Sequence, residues 1–238
     1  MMTEAADMPL SGHLTELRKR LIYSFLAIAV GTAVSFFFIR ELMAFLTAPA
    51  GQLYFARPTE VLMIYIKTAV VAGFVLASPV VFFEFWRFLL PALTDREKSW
   101  CCVFVPLSVI LFLSGLAFSY FFVMPESLHF LMGFGGDDFK PLLSMENYLE
   151  FGLFMIFPCG FVCNLPLVLI AMAKAGLVTS ATLTKGRKYV IFLSFILAAI
   201  LTPTPDIMTQ SLLAVPSIVL FEISLLVIRM MGRCSRIS

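Results

Sequence analysis

Long apolar stretches limit what this chain can fold into more than any other feature. A helix needs roughly 20 apolar residues to cross the hydrocarbon core of a bilayer. The sequence has five stretches of about that length and one shorter stretch, at residues 21–39, 69–90, 100–124, 148–173, 207–228 and 189–201. Because 61% of the 238 residues are hydrophobic and only 13% are charged, polar groups could not cover a water-soluble globule. We therefore predict an all-α integral membrane protein, a single domain over 1–238 with six transmembrane helices.

The fifth predicted span is too short to cross a bilayer comfortably. Residues 189–201 form an apolar stretch of 13 residues, which as an α-helix is about 20 Å long. The hydrocarbon core is about 30 Å thick. We expect this span to thin the bilayer locally or to lean on its neighbours.

The distribution of basic residues predicts the orientation of the spans. Thirteen of the 17 Lys and Arg residues lie at the N-terminus, in the second-to-third and fourth-to-fifth connections with their flanks, and at the C-terminus. The positive-inside rule places these segments, and hence both termini, in the cytoplasm. Six spans agree with that, because both termini share a side only if the number of crossings is even. The long connections, about 40–66 and 125–147, then lie outside, and their apolar residues predict short interfacial helices.

The sequence has no motif of a catalytic or metal centre. It contains no G-x-S-x-G, no H-E-x-x-H and no glycine-rich phosphate loop. The two histidines, His13 and His129, fall near opposite faces of the bilayer, and the five cysteines do not have metal-ligand spacing with histidine. We expect a protein that is not an enzyme and has no catalytic residues, metal or cofactor. The net charge of +2 does not indicate a nucleic-acid partner.

Acidic residues near the predicted cytoplasmic edge are the first candidates for function, since charges at membrane depth are costly. Glu16 either pairs with Arg20 one helical turn later or receives a cation from a partner. Glu97 either completes a capping box that begins at Thr94 or binds an arginine. Glu84 is expected to pair with Arg87, three residues along the second span.

Three further polar residues have mostly structural interpretations. Asn164 precedes Pro166 in the fourth span, where its amide can satisfy backbone groups that the proline frees, or bond across helices. Asp206 is expected to cap the sixth helix. Glu222, in the cytoplasmic third of that helix, has no such simple explanation.

Several motifs occur in the order typical of one family. They are His13-Leu14-x-Glu16-Leu17-Arg18-x-Arg20-Leu21, Ala48-Pro49, Pro58-Thr59-Glu60, Ser78-Pro79-Val80, Trp86-x-Phe88-x-x-Pro91-Ala92-Leu93 with Glu97, Phe118-x-Tyr120-Phe121-x-x-x-Pro125, Leu201-Thr202-Pro203-Thr204-Pro205-Asp206 with Gln210, and Pro216 with Phe221-Glu222-Ile223. Together they cover nearly the whole chain. The sequence resembles TatC, the multispanning core subunit of the twin-arginine protein translocase.

The resemblance implies a fold and a function. The family fold is a concave, glove-like arrangement of six helices, with short fifth and sixth spans, in the bacterial cytoplasmic (inner) membrane. The implied function is binding of signal peptides with paired arginines and export of folded proteins, driven by the proton gradient. The implied signal-binding residues are Glu16, Glu97, Arg18, Phe88, Leu93 and Glu84. The two glutamates at 16 and 97 would meet the arginine pair, beside the apolar Phe88 and Leu93.

The resemblance also implies partners. TatA- and TatB-like single-span subunits would dock at the fifth and sixth spans through Thr202, Gln210 and Asp206. Asn164 and Glu222 would be polar residues of the concave face. Membrane lipids and further copies of the chain, in a homo-oligomeric receptor complex, complete the expected partners.

The sequence departs from the family pattern at two positions. Asn164 stands where the family usually has glutamate, which leaves that place a hydrogen-bonding role only. Phe83-Glu84 replaces the usual tyrosine–glutamine pair, so that Glu84 adds a charge near the signal site. A small proton- or ion-coupled secondary transporter is the alternative function, although such folds usually have internal repeats, and no repeat is found here.

Overall fold

The structure, a computed structural model, describes residues 10–51, 53–55, 57–89, 101–133, 142–202 and 206–234. The helices are α1 (Leu10–Phe37), α2 (Ile39–Thr47), α3 (Pro58–Leu89), α4 (Cys101–Phe118), α5 (Met124–Gly133), α6 (Met145–Val162), α7 (Leu165–Lys174), α8 (Ser180–Leu201) and α9 (Ile207–Cys234). One wider π-helical turn, Ser119–Val123, joins α4 to α5, and a 3-10 turn, Ala48–Ala50, follows α2. The predicted all-α fold is confirmed.

Five helical stretches in the described part of the chain are long and apolar enough to cross a membrane. They are Leu14–Phe37, Pro58–Leu89, Val103–Gly133, Met145–Lys174 and Ile207–Met230, and they correspond to the predicted first, second, third, fourth and sixth spans. The predicted fifth span lies on α8, whose first half carries Lys185, Arg187 and Lys188. The uncharged segment that follows them, 189–201, is short, so its crossing of the membrane stays a prediction.

Two spans extend beyond their predicted limits into the long connections. The second span, α3, starts at Pro58 rather than at residue 69. The third span continues from α4 through the π-helical turn to Gly133 rather than ending at 124. Apolarity marks only the lipid-facing part of a helix, whereas Glu60 and Lys67 lie in turns of α3 that precede it. A short helix is present in the first connection, as expected, and is α2, which buries Ile39 and Met43; its interfacial position stays a prediction.

Small residues let the helices approach closely. A Cβ atom added to Gly31 on α1 would lie 2.4 Å from the carbonyl oxygen of Gly73 on α3, so the two backbones are in direct contact. On α4 and α6, a Cβ atom at Gly115 would lie 2.8 Å from the carbonyl oxygen of Cys159. In membranes, where helices gain little from hydrophobic association, close packing of this kind is a main source of stability.

The helices are arranged side by side. α1 packs mainly on α3, and α3 packs in turn on α4 and α6. At the other side α8 packs mainly on α9, which also contacts α7. Rings from α3, α4 and α6 form an aromatic core, in which Phe112 is fully buried and the Trp86 indole donates to Ser108 Oγ at 2.7 Å.

The bundle has two distinct ends. At one, which we name the N-terminal end, α1 begins, α3 ends, α8 begins and α9 ends. At the opposite end, α2 is held by two tyrosines: Tyr120 donates to the carbonyl of Phe45 at 2.6 Å and Tyr148 to that of Leu46 at 3.2 Å. Residue Tyr54 adds backbone hydrogen bonds to Leu143 and Met145 there.

Candidate functional site

A cluster of three charged side chains lies at the N-terminal end, where α1 and α3 meet. Arg20 donates through Nη2 to Glu16 on its own helix and through Nη1 to Glu84 Oε2 on α3, at 3.3 Å. The side chains of Arg20, Glu16 and Glu84 are 11%, 28% and 13% exposed. The predicted pairing of Glu16 with Arg20 is confirmed, and the cluster links two helices that run in opposite directions.

The predicted pairing of Glu84 with Arg87 is wrong. Glu84 faces α1, where the Arg20 guanidinium is already held beside Glu16, so that the carboxylate finds a partly buried cation. Arg87 is exposed, and its guanidinium carbon lies 6.0 Å from the centre of the Phe83 ring. Sequence spacing identified a possible partner on the same helix, but the packing of α1 on α3 supplied another.

An apolar groove of about 260 Å³ adjoins this charged cluster. Its walls come from α1 and α3, and Arg20 and Glu84 are its charged lining residues. The other lining residues are Leu17, Leu21, Ser24, Phe25, Ile28, Phe74, Val81, Phe85 and Phe88. This arrangement suits an extended or helical segment that carries a cation next to an apolar stretch.

The remaining signal-site candidates have different outcomes. Phe88 lines the groove, on the apolar surface beside Glu84. Arg18 is exposed and forms no ion pair with any residue in the described ranges. Glu97 and Leu93 lie outside the described residues, so that their predicted roles stay predictions.

The three residues predicted to dock partners lie where α8 meets α9, and each contributes to the fold of this chain. Asp206 Oδ2 accepts from the backbone N–H of Thr209 at 2.7 Å, which confirms it as the cap of α9. Gln210 Nε2 donates to the carbonyl of Phe195 on α8 at 2.8 Å. Thr202 is buried, at 7% exposure. The exposed neighbours are the apolar Ile200 and Ile207.

Glu222 also connects these two helices. Its Oε2 accepts from Arg187 Nη2 on α8 at 2.7 Å, near the N-terminal end of the bundle. Arg229, two turns later on α9, donates to Thr184 Oγ1 at 2.8 Å. Sequence reasoning did not find Arg187 as the partner of Glu222, since 35 residues separate the two charges along the chain.

Asn164 lies at the break between α6 and α7. Its Nδ2 donates to the carbonyl of Gly160 at 3.1 Å, and Asn164 is 7% exposed. The backbone N–H of Asn164 bonds instead to Phe161, and Pro166 follows in the first turn of α7. The amide satisfies a backbone carbonyl at the break, but it is that of Gly160 and not that of Val162, which Pro166 would free. The bond lies within its own segment, not across helices.

Sequence reasoning did not single out one cross-helix ion pair at the opposite end. Lys67 Nζ on α3 lies 2.9 Å from Glu150 Oε1 on α6, with both side chains roughly half exposed. The pair borders a second, larger groove of about 550 Å³, whose other lining residues include Phe154, Phe157 and Leu201. The signal that could have found it is Lys67 itself, a lone cation just before a long apolar stretch.

No group of three or more His, Cys, Asp or Glu residues suited to a metal occurs among the described residues. Cys159 on α6 and Cys163, which follows the last residue of that helix, are free thiols. The candidate site is the groove between α1 and α3, which Arg20 and Glu84 line.

Comparisons with known proteins identify the family. Residues 12–216 match the family model described as Sec-independent protein translocase protein (TatC). The Sec-independent protein translocase protein TatC of Desulforapulum autotrophicum is 40% identical, covering 98% of this chain and 88% of that protein. Its counterpart from Aquifex aeolicus is 40% identical, covering 92% and 93%.

A solved structure agrees. The crystal structure described as the twin arginine translocase receptor TatC superposes with a TM-score of 0.83 at 38% identity, covering 92% of this chain and 98% of that one. The relatives are named as protein translocase proteins, and translocation of proteins is a transport function. The chain is therefore a multi-pass membrane protein that belongs to the TatC family of Sec-independent protein translocase proteins.

Proposed function

We propose that this protein is the signal-recognising core subunit of a twin-arginine translocase. It binds signal peptides with paired arginines at the N-terminal end of the bundle and supports export of folded proteins, driven by the proton gradient. The observation that carries the proposal is the groove between α1 and α3, where the Glu84 carboxylate lies on an apolar wall beside the Arg20–Glu16 ion pair.

The chemistry of the groove suits a paired-arginine signal. A guanidinium always carries its charge and presents a planar fork of donors, so that carboxylates select it over the point charge of lysine. Glu16 and Glu97 are the proposed carboxylates for the two arginines, with Glu84 as a third. Phe88 and Leu93 receive the apolar part of the signal, and Arg18 completes the surface.

The proposed orientation places both termini in the cytoplasm of a bacterium, with the protein in its inner membrane. Glu84 and Lys67 are about 25 Å apart along α3 at 1.5 Å per residue. A hydrocarbon core of about 30 Å then puts the charged cluster at the cytoplasmic edge and the Lys67–Glu150 pair near the outer edge. Both sets of charges avoid the centre of the bilayer, where they would be most costly.

TatA- and TatB-like single-span subunits are the proposed partners, and they dock where α8 meets α9. There Thr202, Gln210 and Asp206 support an exposed apolar edge that includes Ile200 and Ile207, at 73% and 83% exposure. Membrane lipids cover the remaining apolar faces. Several copies of the chain form the receptor complex.

A capture assay tests the proposed function. Membranes containing this protein are incubated with a precursor that carries paired arginines, or with the same precursor carrying paired lysines. We expect capture of the arginine form only, and its loss in Glu16→Gln and Glu97→Gln. The matched control is Glu126→Gln, which removes an exposed carboxylate at the opposite end. Equal capture of both precursors would contradict the proposal.

A further inference from the structure

We propose that Arg20 is an internal placeholder for a signal arginine. In the free protein its guanidinium neutralises Glu16 and Glu84, and an incoming guanidinium takes its place on those carboxylates. The inference rests on the proposed function, because it concerns how the same groove exchanges one cation for another.

The geometry of the cluster is that of an occupied arginine site. One guanidinium bridges carboxylates from two helices, with Nη2 on Glu16 and Nη1 on Glu84. A signal arginine would seek the same contacts, since a guanidinium fork presents donors on two edges. The site that the signal needs is therefore filled by the protein's own side chain.

Charge explains why the free protein needs this cation. Glu16 and Glu84 are largely buried, and two carboxylates near each other without a cation would be strongly disfavoured. Arg20 removes that penalty, leaving the three groups with one net negative charge. This residual charge still attracts a second cation, which can then displace the Arg20 guanidinium from the two carboxylates.

Arg20 is held in a way that permits exchange. Its Nε–H is buried and has no hydrogen-bond partner within the described ranges, so that only its two Nη groups hold it in the cluster. The side chain also lines the groove, next to Leu17 and Ser24, and so has space to move. Arg87, one turn after Glu84, lies outside the cluster and shares none of these contacts.

A placeholder competes with every cationic ligand to the same extent. Removing it in Arg20→Gln should therefore tighten binding of a paired-arginine peptide about fivefold, the equivalent of one weak ion pair. A paired-lysine peptide should gain by the same factor, so that the ratio between the two affinities stays constant. If Arg20 instead formed part of the receiving surface, both affinities would fall.

The experiment measures binding of fluorescent signal peptides to the full chain in lipid nanodiscs. Arg20→Gln is compared with wild type and with Arg87→Gln, which removes one positive charge from the same end of the bundle. We expect tighter binding in Arg20→Gln and little change in Arg87→Gln. Binding in Arg20→Gln that equals or falls below that of wild type, or a gain of the same size in Arg87→Gln, would overturn the inference.

A second variant covers the case in which Arg20→Gln does not fold. Lysine keeps the charge but cannot bridge two carboxylates with a fork, so that Arg20→Lys should bind the paired-arginine peptide more tightly than wild type. Affinity at or below that of wild type would overturn the inference. Failure of the proposed function has a separate signature: wild type would bind the paired-arginine and paired-lysine peptides equally.

Discussion

At the scale of single residues, two glycines determine how close α1 comes to α3, and this distance sets the geometry of the groove. A Cβ atom at Gly73 would lie 2.4 Å from both the backbone nitrogen and Oγ1 of Thr32. Because backbone atoms cannot move aside independently, any larger residue there must push the helices apart. The charged cluster lies on the same pair of helices, so that its distances depend on this contact.

We expect Gly73→Ala to destabilise the protein by about 1–3 kcal/mol, the usual cost of overpacking. Its melting temperature in detergent should fall, and capture of a paired-arginine precursor should weaken as the groove widens. The control is Gly186→Ala on α8, where an added Cβ would meet no atom within 4 Å. That variant should be neutral or slightly stabilised. A Gly73→Ala protein as stable as the control would argue against a tight α1–α3 contact.

Asn164 provides a second test at this scale. Asn164→Ala leaves the buried carbonyl of Gly160 without its side-chain donor, which should cost about 1–3 kcal/mol. Thermal unfolding should show this loss, whereas discrimination between arginine and lysine precursors should not change. Ser114→Ala serves as control, since it removes a bond to a backbone carbonyl at an exposed position. A changed precursor preference would instead assign Asn164 a part in recognition.

Among the elements, α8 depends mainly on one neighbour. It packs on α9, to which the Arg187–Glu222 pair and the Gln210–Phe195 hydrogen bond fasten it at two points, and Ala198 is its one buried residue. Its apolar part is short, so that, if α8 crosses the membrane, we expect the bilayer beside it to be thinned. An exposed, weakly supported edge of this kind suits a single-span partner.

Cysteine cross-linking tests that docking edge. A cysteine at Ile200, which is 73% exposed near the α8–α9 junction, should form cross-links to a TatA- or TatB-like helix carrying a cysteine at matching depth. A cysteine at Tyr189, 67% exposed near the middle of the same helix and about 17 Å from Ile200 along it, is the control and should not. Cross-links from position 189 alone would move the docking surface toward the cytoplasmic end.

Apolar length and turn chemistry predicted most elements, but side-chain partners required the packed structure. The cap at Asp206 is local, so that spacing was enough to predict its hydrogen bond, and at Asn164 it predicted a bond to the backbone but not which carbonyl accepts it. Sequence spacing could not predict the partner of Glu84. It indicated Arg87 on the same helix, whereas Arg20 reaches Glu84 only because α1 packs on α3. The start of α3 at Pro58 was missed because polar turns of a long helix resemble a loop.

In the whole molecule, the proposed topology has the helices alternating across the membrane, with α8 as a true crossing. Five stretches have the length and composition to span, and the sixth depends on the short segment 189–201. If α8 crosses, the start of α8 and the end of α9 share the side of the N-terminus, whereas the α8–α9 junction lies on the other.

Labelling with a membrane-impermeant maleimide tests this topology, using single cysteines in a chain whose native cysteines are replaced. In intact spheroplasts we expect labelling at Glu126→Cys and Ile207→Cys and protection at Arg18→Cys and Lys188→Cys. Permeabilised cells control for reactivity at each position. Labelling of positions 188 and 207 on the same side would show that α8 does not cross, and would contradict six spans.

Photo-cross-linking shows whether the groove between α1 and α3 receives the signal peptide. The photoreactive residue p-benzoylphenylalanine is placed at Phe88, in that groove, or at Phe154, in the larger groove beside Lys67 and Glu150. We predict that a paired-arginine precursor cross-links at position 88 and not at 154, and that the paired-lysine precursor does neither. Cross-linking at 154 alone, or at 88 regardless of the arginines, would contradict binding of the paired-arginine signal in the groove between α1 and α3.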